Sequence, residues 1–293
     1  MKLALLGDIH SNDWALKVCL EYCSEEGVEG YIFLGDYVSD CPEPQNTLLQ
    51  IYDIRKRYPT WCIRGNREDY QLNYHHGNVT GWNNNSNSGS LLYTYEQLSE
   101  QDLKFFQCCP ASMRISIEDM PEFIICHGSP ENTSELLHFN SSLSKRYLRE
   151  IDTELLVCAH THVQGIYEAY GRRLINPGSV GLAMLQAGMA QFAVLHSIRR
   201  QWVPEFITLG YDVENYIKQY KKSELSLRAK TFAKVIQGEL LTGKNYLPQV
   251  IKKARELALF AGETVDPNCI PETYWEQAYQ LLCEQDYESI EKR

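Results

Sequence analysis

Residues 2–10 of the chain, KLALLGDIH, combine a short apolar run with an aspartate and a histidine that follow it directly. The run Lys2–Leu6 is typical of a buried strand. Side chains two residues apart in a strand-like or turning segment point the same way, so Asp8 and His10 can reach one point. Considered alone, such a pair is a common surface feature and indicates little.

The same arrangement recurs at four further places, where a polar or histidine side chain follows an apolar run. These residues are Asp36 after Tyr31–Leu34, Asn66 after Trp61–Arg64, His127 after Phe123–Cys126, and His160 with His162 after Leu155–Ala159. Neutral imidazoles are favoured metal ligands, so the His-x-His pair is a moderate indication of a metal site. The carboxyl ends of parallel strands meet at one edge of a sheet. We therefore expect the five motifs to converge.

The first two thirds of the chain alternate strand and helix patterns. Helices are predicted over Asp13–Gly27, capped by Ser11 or Asn12, and over Pro44–Tyr58. Further strands are predicted over Ser112–Ile117, Glu122–Cys126, Leu155–Cys158, Arg172–Ile175, Gln191–Leu195 and Val203–Leu209. This mixture predicts an α/β fold with a mixed sheet, or with two packed sheets and helices outside. The stretch Asn78–Ser90 is rich in turn-forming residues and is predicted to be an exposed loop.

The strand pattern ends near Gly210. Helical spacing follows in Tyr211–Tyr220, Leu225–Gln237, Pro248–Phe260 and Pro271–Cys283. We predict a catalytic domain over residues 1–210 and a helical C-terminal domain over residues 211–293. A simple extension of the core is the favoured role of this second domain, and a lid, a surface for homo-oligomer formation and a partner-binding module remain open.

Composition narrows the range of functions. The formal net charge is −10, so the chain lacks the overall positive charge that is typical of nucleic-acid-binding proteins. The first apolar run is too short for a secretory signal or a membrane span, and no other stretch is long enough to span a membrane. The ten cysteines include no Cys-x-x-Cys pair. We interpret them as reduced thiols of a cytoplasmic protein.

Taken together, the five motifs resemble those of the calcineurin-like metallophosphoesterase superfamily. Asp8–Asn12, Gly35–Val38 and Asn176–Gly181 resemble its small bacterial and archaeal phosphodiesterase branch. The resemblance covers the first two thirds of the chain. It implies a four-layer α-β-β-α sandwich of two mixed sheets, followed here by an all-helical extension.

The resemblance also implies a site for two divalent metal ions. Mn²⁺ is favoured, and Fe or Zn²⁺ also suit such ligands. The first ion would be held by Asp8, His10 and His162, and the second by Asn66, His127 and His160, while Asp36 would bridge both. Asp36, Asn66 and His127 would have catalytic roles, and Asn66, Arg67 and His10 would contact the substrate. A metal-bridging hydroxide would attack phosphorus.

Arg67 departs from the family pattern. Many members carry a histidine at this position, which is proposed to protonate the leaving group, whereas a guanidinium cannot act as a general acid. We expect Arg67 to bind phosphate in a forked geometry, with a salt bridge to Glu68 or Asp69 as the alternative. The acid that often lies three residues after the Gly-Asp pair is also missing: Ser39 occupies that position and Asp40 follows it. We give this second departure little weight.

The motifs therefore predict metal-dependent hydrolysis of a phosphoester, with a small phosphodiester or a nucleotide as the substrate. Protein Ser/Thr phosphatase activity and dinucleoside polyphosphate hydrolysis are the alternatives within the enzyme class. A binding scaffold on the same fold is the alternative outside it.

Overall fold

The structure, a computed structural model, describes residues 1–263 and 269–284. Its strands in chain order are β1 (Lys2–Leu6), β2 (Gly30–Phe33), β3 (Thr60–Cys62), β4 (Ser112–Ile115), β5 (Phe123–Cys126), β6 (Leu155–Val157), β7 (Gly165–Ala169), β8 (Arg172–Asn176), β9 (Met189–Ile198) and β10 (Gln201–Gly210). The helices are α1 (Asp13–Glu25), α2 (Pro44–Arg57), α3 (Asn66–His75), α4 (Gly89–Gln97), α5 (Glu100–Cys108), α6 (Ser142–Glu150), α7 (Val213–Lys222), α8 (Glu224–Arg228), α9 (Lys230–Thr242), α10 (Leu247–Phe260) and α11 (Glu272–Leu282).

These strands form two five-stranded sheets. Sheet 1 has the order β10-β9-β1-β2-β3, in which β1, β2 and β3 run parallel and β9 runs antiparallel to β1. Sheet 2 has the order β4-β5-β6-β8-β7, in which β5, β6 and β8 run parallel. Each sheet therefore brings the carboxyl ends of its parallel strands to one edge.

The two sheets pack face to face between helices, which confirms the predicted four-layer sandwich. Leu3 and Leu5 of β1 belong to the core between the sheets, together with Val157 of β6. Ala4 and Leu6 face the opposite side of sheet 1, where α1, α2 and α5 cover it, while α6 covers the outer face of sheet 2. Because β1 is buried on both faces, its sequence is a continuous apolar run without alternation.

Capping residues and a proline define the ends of α1 and α2, close to the predicted positions. Asn12 caps α1, since its side-chain oxygen accepts a hydrogen bond from the Ala15 amide at 3.1 Å. Gly27, with a φ of +65°, follows the end of α1. Pro44 occupies the first turn of α2, where its missing N–H costs no hydrogen bond. Within the described residues, no helix is both long enough and apolar enough to span a bilayer.

Several elements differ from the prediction. The helices α3 to α6 and the strand β7 were not predicted, and the helix expected over Leu225–Gln237 is divided between α8 and α9. Ala229 lies between these two helices with φ −125° and ψ 54°, which are not helical angles. Asn66, which follows β3, is the first residue of α3, and Gly65 is the N-cap of that helix.

The predicted exposed loop over Asn78–Ser90 is wrong in its second half. Ser86 is buried, and its hydroxyl donates to Glu272 at 2.6 Å and accepts from the Phe232 amide at 3.0 Å. The Asn87 side-chain oxygen accepts from the Trp275 indole at 3.1 Å. These short polar side chains pair with the C-terminal helices instead of with water, so the second half of the loop is fixed.

The C-terminal helices share a hydrophobic core with the loop after β2, with helix α4 and with the connection between β8 and β9. Cys41, Tyr93 and Leu182 pack in one buried cluster with Tyr216 and Tyr220 of α7 and with side chains of α8 to α11. The division between residues 1–210 and 211–293 stays a prediction, and this packing favours an extension of the core over a detachable lid.

We therefore predict that a chain ending at Gly210 does not fold stably. Its ending there would expose the apolar cluster, and burial of each large side chain in such a cluster contributes roughly 1.5–3 kcal/mol. Circular dichroism melting and the soluble yield measure this outcome. A truncated chain that melts cooperatively and remains soluble would show instead that the front part is an independent domain.

Removal of the Tyr220 hydroxyl tests the packing of the C-terminal helices against the rest of the chain with a smaller change. The Tyr220 hydroxyl donates to the carbonyl oxygen of Asp40, and both residues are buried. We expect Tyr220→Phe to lower the free energy of unfolding by about 1–3 kcal/mol, because the buried carbonyl would lose its partner. Tyr170→Phe is the matched control on an exposed tyrosine, with an expected change within about 0.5 kcal/mol in urea unfolding. Equal effects of the two variants would contradict a special role of this contact.

Candidate metal centre

The predicted ligand residues lie at the carboxyl ends of parallel strands from both sheets. Asp8 and His10 follow β1, Asp36 follows β2, and Asn66 begins α3 after β3. The other three follow strands of sheet 2: His127 follows β5, and His160 and His162 follow β6. The sandwich brings these edges together, so the predicted convergence of the five motifs is present in the structure.

Two groups of side chains have the spacing of metal ligands. In the first group, the Asp8, His10 and His162 ligand atoms lie within 4.8 Å of one another. In the second group, the Asp36, His127 and His160 ligand atoms meet the same limit. The Asn66 side-chain oxygen lies 3.2 Å from His127 Nε2, so it faces the second group.

Asp36 connects the two groups through a single oxygen atom. Its Oδ2 atom lies 3.4 Å from His127 Nε2 in one group and 3.9 Å from His10 Nε2 in the other. Its Oδ1 atom accepts a hydrogen bond from the Arg67 amide at 2.9 Å, in the first turn of α3. The second oxygen is thereby fixed in place while the first remains directed at both histidines.

The donor set fits divalent cations. Asp8 Oδ1 is buried, has no hydrogen-bond partner within residues 1–263 and 269–284, and lies 3.4 Å from His162 Nε2. A buried carboxylate oxygen without a donor is costly, and a cation bound between these atoms would remove that cost. Carboxylate, amide and imidazole ligands together suit Mn²⁺, Fe or Zn²⁺.

Outer contacts hold three of the imidazole rings. His127 Nδ1 lies 2.8 Å from the Leu34 carbonyl oxygen, and His162 Nδ1 lies 3.0 Å from the Leu182 carbonyl oxygen. A carbonyl can only accept, so each Nδ1 carries a proton, and Nε2 is the nitrogen left to bind a metal. His10 Nδ1 instead lies 2.9 Å from a carboxylate oxygen of Asp40. The sequence did not identify these partners.

The ligand loops adopt an unusual backbone conformation. Asp8, His10, Asp36, His160 and His162 all have φ values between +51° and +64°. Residues other than glycine rarely adopt this left-handed region, and each instance costs on the order of 1 kcal/mol. The loops hold one another in this state, since the amides of Ile9 and His10 both donate to the Asp36 carbonyl oxygen at 2.8 and 2.9 Å.

The motif Asn176–Gly181 forms hydrogen bonds to the loops that carry the candidate ligands. The Ser179 hydroxyl donates to the Asp8 carbonyl oxygen at 2.8 Å, and the Asn176 amide donates to the Ala159 carbonyl oxygen at 2.8 Å. Both residues are fully buried. This motif therefore holds the loops that carry the candidate ligands, and its own residues are not candidate ligands.

Arg67 and Asp40 differ from the sequence interpretation. The Arg67 guanidinium pairs with Asp40 at 2.8 Å, and the alternative of a salt bridge to Glu68 or Asp69 is wrong. Glu68 accepts from the amides of Asp36 and Gly65, both at 2.8 Å, and Asp69 pairs with Arg64. Asp40 is thus more important than the sequence interpretation assumed, and the available signal was a carboxylate four residues after Asp36.

Without metal, the neighbouring acidic and histidine side chains shift one another's pKa values. Burial raises the pKa of the Asp36 carboxyl, but the neighbouring His127 outweighs this and holds it well below its usual range. Burial lowers the pKa of His127, but the Asp36 carboxylate outweighs this and raises it to about 9. Burial, together with the charge of His127, lowers the pKa of His160 to about 4. In the metal-free site at neutral pH, His127 is therefore protonated and His160 is neutral.

Metal binding at this site should release protons even above neutral pH. At pH 8, His127 must lose its proton to bind a metal, whereas His160 has none to lose, so we expect at least about one proton to be released. His162 adds to this release, because the Asp8 carboxylate outweighs the effect of burial and raises its pKa. The apparent affinity for Mn²⁺ should rise with pH up to about 9 and then level off. Calorimetric titrations in two buffers of different ionisation enthalpy measure the release. Tight binding at pH 8 without any release would contradict the assignment of His127 as a ligand.

Known proteins are similar to this chain in sequence and in fold. An uncharacterized protein of Methanocaldococcus jannaschii is 22% identical over 240 residues, which cover 76% of this chain and 93% of that protein. The crystal structure of a hypothetical protein from Pyrococcus horikoshii OT3 has a TM-score of 0.70 and 22% identity, and covers 83% of this chain and 99% of that chain. The crystal structure of a metallophosphoesterase from Sphaerobacter thermophilus has a TM-score of 0.64 and 22% identity, with the same two coverages.

The structural similarities confirm the predicted fold. A family model described as the calcineurin-like phosphoesterase superfamily domain matches residues 1–199, which include all the candidate ligands. The chain therefore belongs to the calcineurin-like phosphoesterase superfamily.

Proposed function

We propose that the protein is a phosphoesterase that depends on two divalent metal ions, with Mn²⁺ favoured. Asp8, His10 and His162 would hold the first ion, Asn66, His127 and His160 the second, and Asp36 both. The arrangement of the Asp36 carboxylate supports this assignment most strongly, because one of its oxygens faces both histidine groups. Two cations about 3.5–4 Å apart require such a shared anion to offset their repulsion.

The side chains of the chain have defined tasks in this proposal. Bound cations would supply Lewis acidity that activates a water molecule and offsets charge on the phosphoryl oxygens. The carbonyl groups of Leu34 and Leu182 keep His127 and His162 in the tautomer that binds through Nε2. The Asn66 amide group orients an oxygen towards the second group, and its nitrogen is the proposed donor to a phosphoryl oxygen.

A small phosphodiester or a nucleotide is the proposed substrate. The carboxylates and His10 are at most 2% exposed, while His160 is partly exposed, so only a small part of the centre faces solvent. A small phosphoester reaches such a buried centre more easily than a folded protein surface does. All ten cysteines are free thiols, which supports the proposed cytoplasmic location.

Asp36→Asn should abolish paired metal binding and activity. The amide has no charge to hold two cations, so we expect about one bound Mn²⁺ or none, against two in the native chain. Turnover of bis-p-nitrophenyl phosphate and p-nitrophenyl phosphate should fall at least ~100-fold, which exceeds the usual cost of losing an outer partner. Equilibrium dialysis with elemental analysis counts the metal, and nitrophenolate absorbance gives the rate.

Asp53→Asn is the matched control, because Asp53 is exposed on α2 and pairs only with Arg57 among the described contacts. It should keep both the metal content and the rate. A native chain that binds two Mn²⁺ but cleaves no member of a broad phosphoester panel would favour the binding scaffold. A native chain that binds no divalent metal would remove the proposal altogether.

A further inference from the structure

Arg67 and Asp40 form an ion pair at the rim of the candidate metal centre. The guanidinium nitrogen Nη2 lies 2.8 Å from Asp40 Oδ2, and the same oxygen lies 2.9 Å from His10 Nδ1. Asp40 is 2% exposed, whereas the Arg67 side chain is 21% exposed. The guanidinium therefore lies between the buried ligands and the solvent, with one edge held by a carboxylate that also contacts a ligand.

The backbone around Asp40 is strained in order to place this carboxylate. Ser39 and Asp40 have φ values of +81° and +70°, which are costly for both residue types. The Ser90 hydroxyl accepts a hydrogen bond from the Asp40 amide at 3.0 Å, and Tyr220 donates to the Asp40 carbonyl oxygen. Three separate parts of the chain thus contribute to fixing Arg67 beside the centre.

Arg67 retains a hydrogen-bond donor for a further anion. Its Nε atom is buried and has no acceptor among the described residues. Buried donors without acceptors are rare and costly, so an acceptor is expected in the functional state. A phosphoryl group matches the fork of a guanidinium, since two of its oxygens can accept two parallel N–H bonds.

The described side chains that contact the Asp36 and Asp40 carboxylates do not provide an acid for the leaving group. Those in contact with the Asp36 and Asp40 carboxylates are His10, His127, the Ser39 hydroxyl and Arg67. The two histidines are candidate ligands, a guanidinium keeps its protons, and a serine hydroxyl is not an acid at neutral pH. An alkoxide would leave slowly without a proton. A phosphate, whose second pKa is about 6, is stable as an anion.

We propose that Arg67, positioned by Asp40, binds a second phosphoryl group, so that the substrate is a phosphoanhydride. This inference rests on the phosphoesterase function proposed above. Hydrolysis forms a P–O bond to the oxygen of the attacking water and breaks the bridging P–O bond. The second phosphoryl group departs with the bonding electron pair as a phosphate anion held by Arg67. The two protons of the water pass to solvent or to the products.

Binding of uncleavable ligands isolates the second phosphoryl group from catalysis. Methylenebisphosphonate carries two phosphoryl groups and methylphosphonate carries one. In the Mn²⁺-loaded protein, we expect Arg67→Ala to weaken bisphosphonate binding by ~10–100-fold and methylphosphonate binding much less, since one charged hydrogen-bonded contact is lost. Arg67→Lys keeps the charge but lacks the fork, so it should restore only part of the preference. Calorimetry gives both affinities.

Two further variants define the role of the ion pair. Asp40→Asn should reduce the bisphosphonate preference in the same direction as Arg67→Ala, because the guanidinium loses its anchor. Arg57→Ala is the matched control for the loss of one positive charge, since Arg57 is exposed on α2 and pairs with Asp53. It should leave both affinities unchanged. Equal affinity losses for the two ligands in Arg67→Ala would overturn the proposal.

The dependence of the rate on the leaving group provides the second test. Without an acid, a nucleoside diphosphate ester and p-nitrophenyl phosphate should be cleaved at least ~100-fold faster than an alkyl phosphate. Tyr70 lies beside Arg67, with its ring centre 5.9 Å from the guanidinium carbon, and its phenol is the nearby group that could act as an acid instead. Tyr70→Phe should leave the dependence unchanged.

Rapid cleavage of the alkyl ester, or a steeper dependence in Tyr70→Phe, would overturn the inference while the proposed function stands. If the protein binds Mn²⁺ but cleaves no substrate, the proposed function fails. The bisphosphonate comparison still decides in that case whether Arg67 binds a second phosphoryl group.

Discussion

The buried carboxylate of Asp36 is the constraint on which the rest of the site depends. Its removal from water costs several kcal/mol unless positive charge or hydrogen-bond donors surround it. The chain supplies the Arg67 amide on one oxygen and two imidazoles on the other. In the metal-free protein a proton on His127 supplies the positive charge, and in the proposed function cations replace that proton. The centre is therefore stable in a charged state, and its chemistry depends on which cation occupies it.

The backbone meets this constraint by cooperation among distant loops. The left-handed residues after β1, β2 and β6 would each be unfavourable alone. Hydrogen bonds between these loops, and from Ser179 of the buried motif beneath them, maintain the conformation. A rigid frame of this kind keeps the ligand atoms in place before any ligand binds, so little conformational entropy is lost on binding.

The sequence predicted which candidate ligands converge but not the residues that support them, and the reason is physical. A polar residue at the exit of an apolar strand is a local signal, and Asp8, Asp36 and His160 each carry it. The partnership of Asp40 with Arg67 depends on a turn with positive φ and on a residue 27 positions away, so no local pattern predicts it. The same holds for Ser86, whose partners on α9 lie about 145 positions later. The composition of Asn78–Ser90 indicated a loop, and only tertiary contacts determine that the second half of this loop is buried.

The contact between Tyr220 and Asp40 also has a consequence for the order in which the protein matures. These two residues are separated by 180 positions, so the strained turn beside the centre lacks its support until α7 has left the ribosome. Strands β1 to β3 are complete much earlier, and domains commonly begin to fold from the N-terminus during synthesis. The nascent chain would thus hold four of the seven candidate ligands, Asp8, His10, Asp36 and Asn66, in an incomplete site, and the proposed cations would bind only after α7 is in place.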